Sequence, residues 1–141
     1  MVVERPDLSG DWVLNRAACT LSPGASGVRS ARVQIEHDDP MIRCSARFVF
    51  DDVNAFEFTT ERTAREPRDS APAADGSAHW DGAGLVFTDY MGDAPDVVTM
   101  TWRYELVDDG RRLRAVERMR GGGRDQDNIW AFDRATAAAP A

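Results

Sequence analysis

Apolar and polar residues alternate along most of the chain with the period of two that is typical of β-strands with one buried face. The clearest case is the segment 97–107, in which Val98, Met100, Trp102, Tyr104 and Leu106 share one face. Asp108-Asp109-Gly110 follows this segment and is a strong hairpin signal. The sequence has no segment with the period of a long amphipathic helix, so the pattern predicts an all-β protein.

Nine short strands are predicted, at residues 10–17, 29–37, 42–50, 56–60, 77–80, 85–90, 97–107, 112–120 and 127–134. Most connections are of hairpin length, which favours an antiparallel meander, and a meander of eight to ten strands removes its edges by closing into an up-and-down barrel. The exception is the polar stretch 62–76, which is either a plain connector or a lid over a binding site. The predicted domain plan is an N-terminal extension at 1–8, a barrel at 9–134 and a tail at 135–141.

The first and last predicted strands carry a recognisable pair of motifs. Leu8-Ser9-Gly10-Asp11-Trp12 places a G-x-W at the head of the first strand, and Ile129-Trp130-Ala131-Phe132-Asp133-Arg134 closes the last strand. With Trp80-Asp81-Gly82 and Asp109-Gly110 between them, the order of motifs over residues 8–134 resembles small bacterial lipocalin-like (calycin) domains. The resemblance implies that Trp12 plugs one end of the barrel and that Arg134 lies across it. The chain departs from secreted lipocalins in having no secretion signal and no long C-terminal helix.

Composition narrows the choice of partners. The 141 residues suffice for one domain with its own core, and the net charge of −7 argues against nucleic acid, which requires a basic surface. A signal peptide and an 18-residue apolar run are both missing from the sequence, so a cytoplasmic protein that does not bind membranes is expected, as a monomer or a homodimer. Cys19 and Cys44 are more typical of free thiols than of a disulfide framework, although a bridge between them stays possible.

The inward-facing positions are rich in aromatic residues and methionine. Such a lining suits an apolar ligand with rings or double bonds, and a core filled by these same side chains is the alternative. A barrel of eight or more strands has room for a ligand. The predicted ligand-binding residues are Phe48, Phe50, Phe56, Phe58, Phe87, Met100, Met119, Trp130 and Phe132.

A few polar groups fall among these apolar positions, and the predicted catalytic residues are Tyr104, Glu117 and Trp102. A desolvated Glu117 would be held protonated and could donate a hydrogen bond or act as a general acid, unless it pairs with an arginine. Asp89 shares a face with Phe87, whereas His37 and His79 are expected at a rim or on the surface. The two histidines and two cysteines lack metal-ligand spacing, and the sequence contains no nucleotide-binding fingerprint, so neither a metal nor a cofactor is expected.

Two functions are consistent with this lining. A shaped aromatic pocket could fold a flexible polyene and lower a ring-closing barrier by positioning it, as the resemblance in fold and size to the Diels–Alderase-type β-barrel cyclases of polyketide biosynthesis implies. A non-catalytic carrier of a hydrophobic metabolite would use the same pocket. A structural domain with a filled core is a third, weaker alternative. The favoured hypothesis is a cofactor-independent cyclase acting on an apolar small molecule.

Overall fold

The computed structural model describes residues 6–52, 54–66, 74–123 and 125–135, and within these residues the chain forms a closed barrel of nine strands. A short 3-10 helix, Arg16–Ala18, follows the first strand. The strands are β1 Gly10–Leu14, β2 Val28–Asp38, β3 Met41–Phe50, β4 Ala55–Arg65, β5 Ser77–Asp81, β6 Gly84–Met91, β7 Val98–Val107, β8 Arg112–Arg120 and β9 Gln126–Arg134. None of the helices in the described part of the chain is long and apolar enough to cross a membrane.

The strands follow one another around the barrel in sequence order, and β1 pairs with both β2 and β9. Of the nine pairings between described strands, eight are antiparallel and one, between β4 and β5, is parallel. A ring of nine strands cannot alternate direction all the way round, because nine is odd, so one neighbouring pair must run the same way. The predicted barrel is therefore present, but it is not purely antiparallel as the sequence suggested.

The fourth strand is longer than predicted, because its end forms the parallel pairing with β5. Instead of stopping near Thr60, β4 continues to Arg65, and Arg62 and Thr63 pair with Ile42 and Met41 of β3. The period-two pattern runs through Arg62, which belongs to the same inward set as Thr60.

The first strand is shorter than predicted and ends at Leu14, because the Asn15 side chain accepts a hydrogen bond from the Ala18 N–H at 3.3 Å and caps the 3-10 helix. Much of the predicted extension (1–8) and tail (135–141), and part of the stretch 62–76, lie outside the described residues.

One end of the barrel is closed and solidly packed. The Arg134 guanidinium lies 4.3 Å from the centroid of the buried Trp12 ring, so the two residues expected to form the closure are in contact. Arg134 also donates to the carbonyls of Ser9 at 3.0 Å and Gly110 at 3.1 Å, which joins the first strand to the β7–β8 turn. At Gly10 a Cβ would come within 2.5 Å of Arg134 Nη1, so the glycine of the G-x-W motif makes room for this side chain.

Leu8 completes the closed end. Its side chain is fully buried, its carbonyl accepts a hydrogen bond from Trp12 Nε1 at 3.2 Å, and its N–H donates to His37 Nδ1 at 3.2 Å. The large side chains beneath this plug are at most 1% exposed and leave no room for solvent at this level: Ile42, Trp80, Leu85, Leu113 and Phe132. Leu8 thus packs with the core although the sequence placed it in the extension.

The opposite end of the barrel is open on the side of β4, β7 and β8, where inward-facing side chains become half-buried rather than buried and Phe56 at the start of β4 is 59% exposed. On the side of β2 and β9 the connection 15–27 packs against the barrel, and Ala25, Val28 and Asn128 are buried there. The β7–β8 turn, in which Asp108 and Asp109 take positive φ angles, sets a register that pairs Met100 with Met119 and Trp102 with Glu117. These four inward residues therefore lie side by side toward the open end.

Candidate ligand-binding interior

A belt of aromatic rings crosses the interior where the packed half meets the open half. Successive members have ring centroids 5.1–6.4 Å apart, within the range of favourable aromatic contacts. We call this set the aromatic belt, in contact order: Phe58, Phe48, Trp130, Trp102, Tyr104 and Phe87. The belt returns to its starting strand because Arg62 of β4 lies 4.5 Å from the centroid of the Phe87 ring.

The belt forms a floor that faces the open end. Phe48, Phe87, Tyr104 and Trp130 are buried, whereas Trp102 and Phe58 keep part of their surface accessible. Trp102 is paired on both sides, with β6 and β8, so its accessible surface faces the interior of the barrel. Phe58 is paired only with β3 among the described strands, so part of its accessible surface faces the gap beside β4. The interior beside Trp102 is therefore not filled by side chains.

The remaining predicted ligand-binding residues divide between the two halves. Met100 and Met119 are half-buried above the belt, and Phe50 is half-buried at the end of β3. Phe56 lies at the mouth with its ring 5.7 Å from that of Phe58. Phe132, in contrast, is 1% exposed and lies in the packed half next to Leu113, so it contributes to the core rather than to the lining.

Arg62 is a charged residue of the interior that the sequence analysis missed. Its side chain is 10% exposed, and Nη2 donates to Asp89 Oδ2 at 2.9 Å. Nε donates to Thr60 Oγ1 at 3.2 Å, and Nη1 donates to the carbonyls of Ser77 at 3.1 Å and Thr88 at 3.5 Å. Arg62 therefore links β4 to β5 and β6 across the parallel pairing, which has only two residue pairs in register. The signal available in the sequence was the unbroken alternation Phe56, Phe58, Thr60, Arg62, Ala64.

Glu117 lies beside two indole rings in the open half. It is the cross-strand neighbour of Trp102, and its Oε1 accepts hydrogen bonds from Asn128 Nδ2 at 2.9 Å and Trp130 Nε1 at 3.2 Å. The orientation of the Asn128 amide is set from its other side, where Oδ1 accepts a hydrogen bond from the Ser22 N–H at 2.7 Å. Both bonds therefore use Glu117 as an acceptor, rather than as the donor or the partner of an arginine that the sequence suggested.

Tyr104 and Cys44 form a buried pair beneath Trp102. The Tyr104 hydroxyl lies close to the Cys44 sulfur, and both side chains are buried. Burial raises the pKa of the Cys44 thiol to about 11, and burial likewise holds the pKa of Tyr104 well above its ordinary value. The neutral Tyr104 hydroxyl points to a packing role, with Trp102 between it and the open half. Cys19 and Cys44 are both free thiols.

The raised pKa of Cys44 makes the stability of the protein pH-dependent in alkali. The unfolded thiol loses its proton from about pH 9, whereas the folded thiol keeps it to about pH 11, so the folded state binds more protons in this window. We expect the free energy of unfolding to fall by roughly 1 kcal/mol between pH 8 and 10 from this residue. Urea denaturation of the wild type and Cys44→Ala at both pH values measures it. Equal falls in the two proteins would contradict the prediction.

The two histidines lie away from the belt. His37 is inward-facing but belongs to the closed end, where its ring packs 5.7 Å from Trp80, and His79 is on β5 opposite Val86. In the described part of the chain no group of three His, Cys, Asp or Glu side chains is placed to hold a metal ion.

Comparison of the chain with protein-family models, with curated proteins and with solved structures found no match.

Proposed function

We propose that the barrel binds an apolar small molecule in its open half and promotes a ring-forming isomerisation of that molecule without a cofactor. The observation that carries the proposal is the aromatic belt, whose half-buried member Trp102 faces the interior above a solidly packed closed end. Met100 and Met119 extend this lining with flexible, polarisable side chains that adapt to an irregular apolar ligand.

A ring-forming isomerisation suits this interior because it moves no atom to or from the protein. A flexible polyene loses conformational entropy when its reacting ends come together. A rigid aromatic wall that folds the bound chain causes this loss during binding, so it no longer raises the barrier of the reaction step. The belt is rigid because its rings contact one another and four of them are buried. Trp102 would contact the substrate, Tyr104 would support Trp102 from below, and Glu117 would orient a polar group of the substrate.

One observation favours a non-catalytic carrier as the second candidate. The inward polar groups already bond to one another, Arg62 to Asp89 and Glu117 to Asn128 and Trp130. Such groups can recognise a ligand while adding little to the reaction beyond shape.

The cyclase and the carrier can be distinguished by whether a cyclised product forms. Linear polyenes with a neutral, an amine and a tetronate head group are each incubated with the protein, and cyclisation appears as a changed chromatographic retention time at unchanged mass. Conversion above the uncatalysed rate supports the cyclase. Saturable binding without conversion of any such substrate supports the carrier and overturns the cyclase.

The location of the site is tested by filling it. Met119→Trp adds a large ring to the open half and should weaken binding at least tenfold, because the new side chain takes the ligand's place. Met41→Trp is the matched control, since Met41 is 39% exposed at the closed end and should bind normally. Calorimetric titration measures both affinities, and unchanged binding by Met119→Trp would contradict a site within the barrel.

A further inference from the structure

The open half of the barrel has an uncompensated negative charge. Among the described residues, the ionisable side chains on the inner face of this half are Arg62, Asp89 and Glu117. Arg62 and Asp89 neutralise each other in an ion pair at 2.9 Å. Glu117 is bonded instead to two neutral donors, the Asn128 amide and the Trp130 indole, so its carboxylate charge is oriented but not cancelled.

The groups around this carboxylate are those that stabilise an organic cation. Trp102 is the half-buried cross-strand neighbour of Glu117, whereas Trp130 directs its N–H edge at the carboxylate. The face of an indole ring is negative and attracts cations, most strongly where water is excluded, while its edge is positive. A carboxylate beside the Trp102 ring disfavours an anionic ligand, because the charge of that ligand would face Glu117 without a free counter-charge.

The mouth of the barrel has the same sign of charge. Four connections lie at this end, residues 15–27, 51–54, 92–97 and 121–125, and their described residues include five aspartates and one arginine, Arg16, which donates to the Ser26 carbonyl at 2.9 Å. The five are all exposed: Asp51, Asp52, Asp93, Asp96 and Asp125. Arg120, at the end of β8, is paired with Asp127 at 2.6 Å. An acidic rim raises the local concentration of cations and their rate of entry.

We infer that the ligand is an apolar organic cation, a hydrophobic skeleton with a protonated amine that lies against Glu117 and the Trp102 ring. This inference rests on the proposed function, because it names the class of molecule that the same interior accepts. The hydrophobic skeleton would contact the accessible belt rings and the two methionines, and the ammonium group would donate to the Glu117 carboxylate. The charge pairing selects the ligand, while the apolar contacts supply most of the affinity.

The test uses three probes with one apolar body and different charges: naphthylethylamine, naphthylethanol and naphthylacetate. Calorimetric titration at neutral pH should rank the amine first, the alcohol second and the acetate last. Glu117→Gln keeps an acceptor oxygen for Asn128 and Trp130 and so should fold normally, which thermal melting checks. It should weaken amine binding about tenfold or more and leave alcohol binding within twofold, since a hydrogen bond between charged groups is lost only with the amine.

The control is Glu36→Gln, which makes the same change of net charge on the exposed outer face of β2 and should leave all three affinities unchanged. Two outcomes overturn the inference alone: wild-type protein binding the alcohol or the acetate as tightly as the amine, or Glu117→Gln keeping the full preference for the amine. Failure of the wild type to bind any of the three probes would count against the proposed function itself, and the inference would fall with it.

Discussion

Replacing Trp12 by alanine is expected to lower the free energy of unfolding by about 3–5 kcal/mol, the usual cost of removing a large buried aromatic side chain. Trp12 is fully buried, its indole N–H donates to the Leu8 carbonyl, and its ring face contacts Arg134. Alanine would leave a cavity in the packed half and would remove the surface on which Arg134 lies. A small domain has about 5–15 kcal/mol of stability in total, so this single change should be conspicuous.

The matched comparison is Trp102→Ala. Trp102 is also an inward-facing tryptophan, but it is half-buried and faces the unfilled half, so its removal extends an existing space instead of creating one. We expect it to cost less than half as much stability as Trp12→Ala. Urea denaturation midpoints of the two variants provide the measurement. Equal losses would mean that the two halves of the barrel are packed alike.

Arg62→Met is expected to cost about 2–3 kcal/mol, somewhat below the cost of breaking a fully buried ion pair because the Asp89 side chain is 31% exposed. Methionine fills a similar volume but leaves Asp89 without its cation and the Ser77 carbonyl without its donor. The loss should be concentrated where Arg62 spans from β4 to β5, because that pairing has only two residue pairs in register.

Two measurements separate this explanation from a general loss of packing. Asp89→Asn keeps an acceptor oxygen for Arg62 and should cost much less than Arg62→Met. Hydrogen exchange of the backbone amides of β5 should accelerate in Arg62→Met relative to those of β7, which lies outside the contacts that Arg62 makes. Uniform acceleration of exchange in all strands, or an Arg62→Met variant as stable as the wild type, would contradict the role of Arg62 in joining β4 to β5.

Much of the architecture could be predicted from local patterns. Alternation of residue type reports the strand and its inward face directly, because successive side chains of a strand point to opposite faces. It identified the inward positions of β2, β3, β7 and β8, and the hairpin signal at Asp108-Asp109-Gly110 identified the turn that joins β7 to β8. The same rule failed at Arg62 because charge was read as exposure, although a charged side chain can face inward where it finds a partner.

The partners of the candidate site, in contrast, come from different strands. Asn128 is held by Ser22 on one side and donates to Glu117 on the other, and nothing local to residue 128 shows that its amide is 1% exposed. The sequence analysis recognised Asp89 as inward-facing. Its ion-pair partner Arg62 lies 27 residues earlier in the chain, in a segment that was predicted to be a connector. Contacts of this range depend on how the strands are arranged around the ring, which a single segment does not encode.

The sequence by itself determined that this chain forms a β-barrel and which residues face its interior. These features depend on residue periodicity and on turn motifs, which act through the local backbone, whereas the contact of Trp12 with Arg134 was implied only by the resemblance to lipocalin-like domains. The tertiary structure alone decided that β4 and β5 run parallel, that Arg62 spans this pairing, and that the packed half ends at the aromatic belt. The physical reason is that filling a barrel depends on the combined size of side chains from all its strands at each level, and only closure brings those strands together.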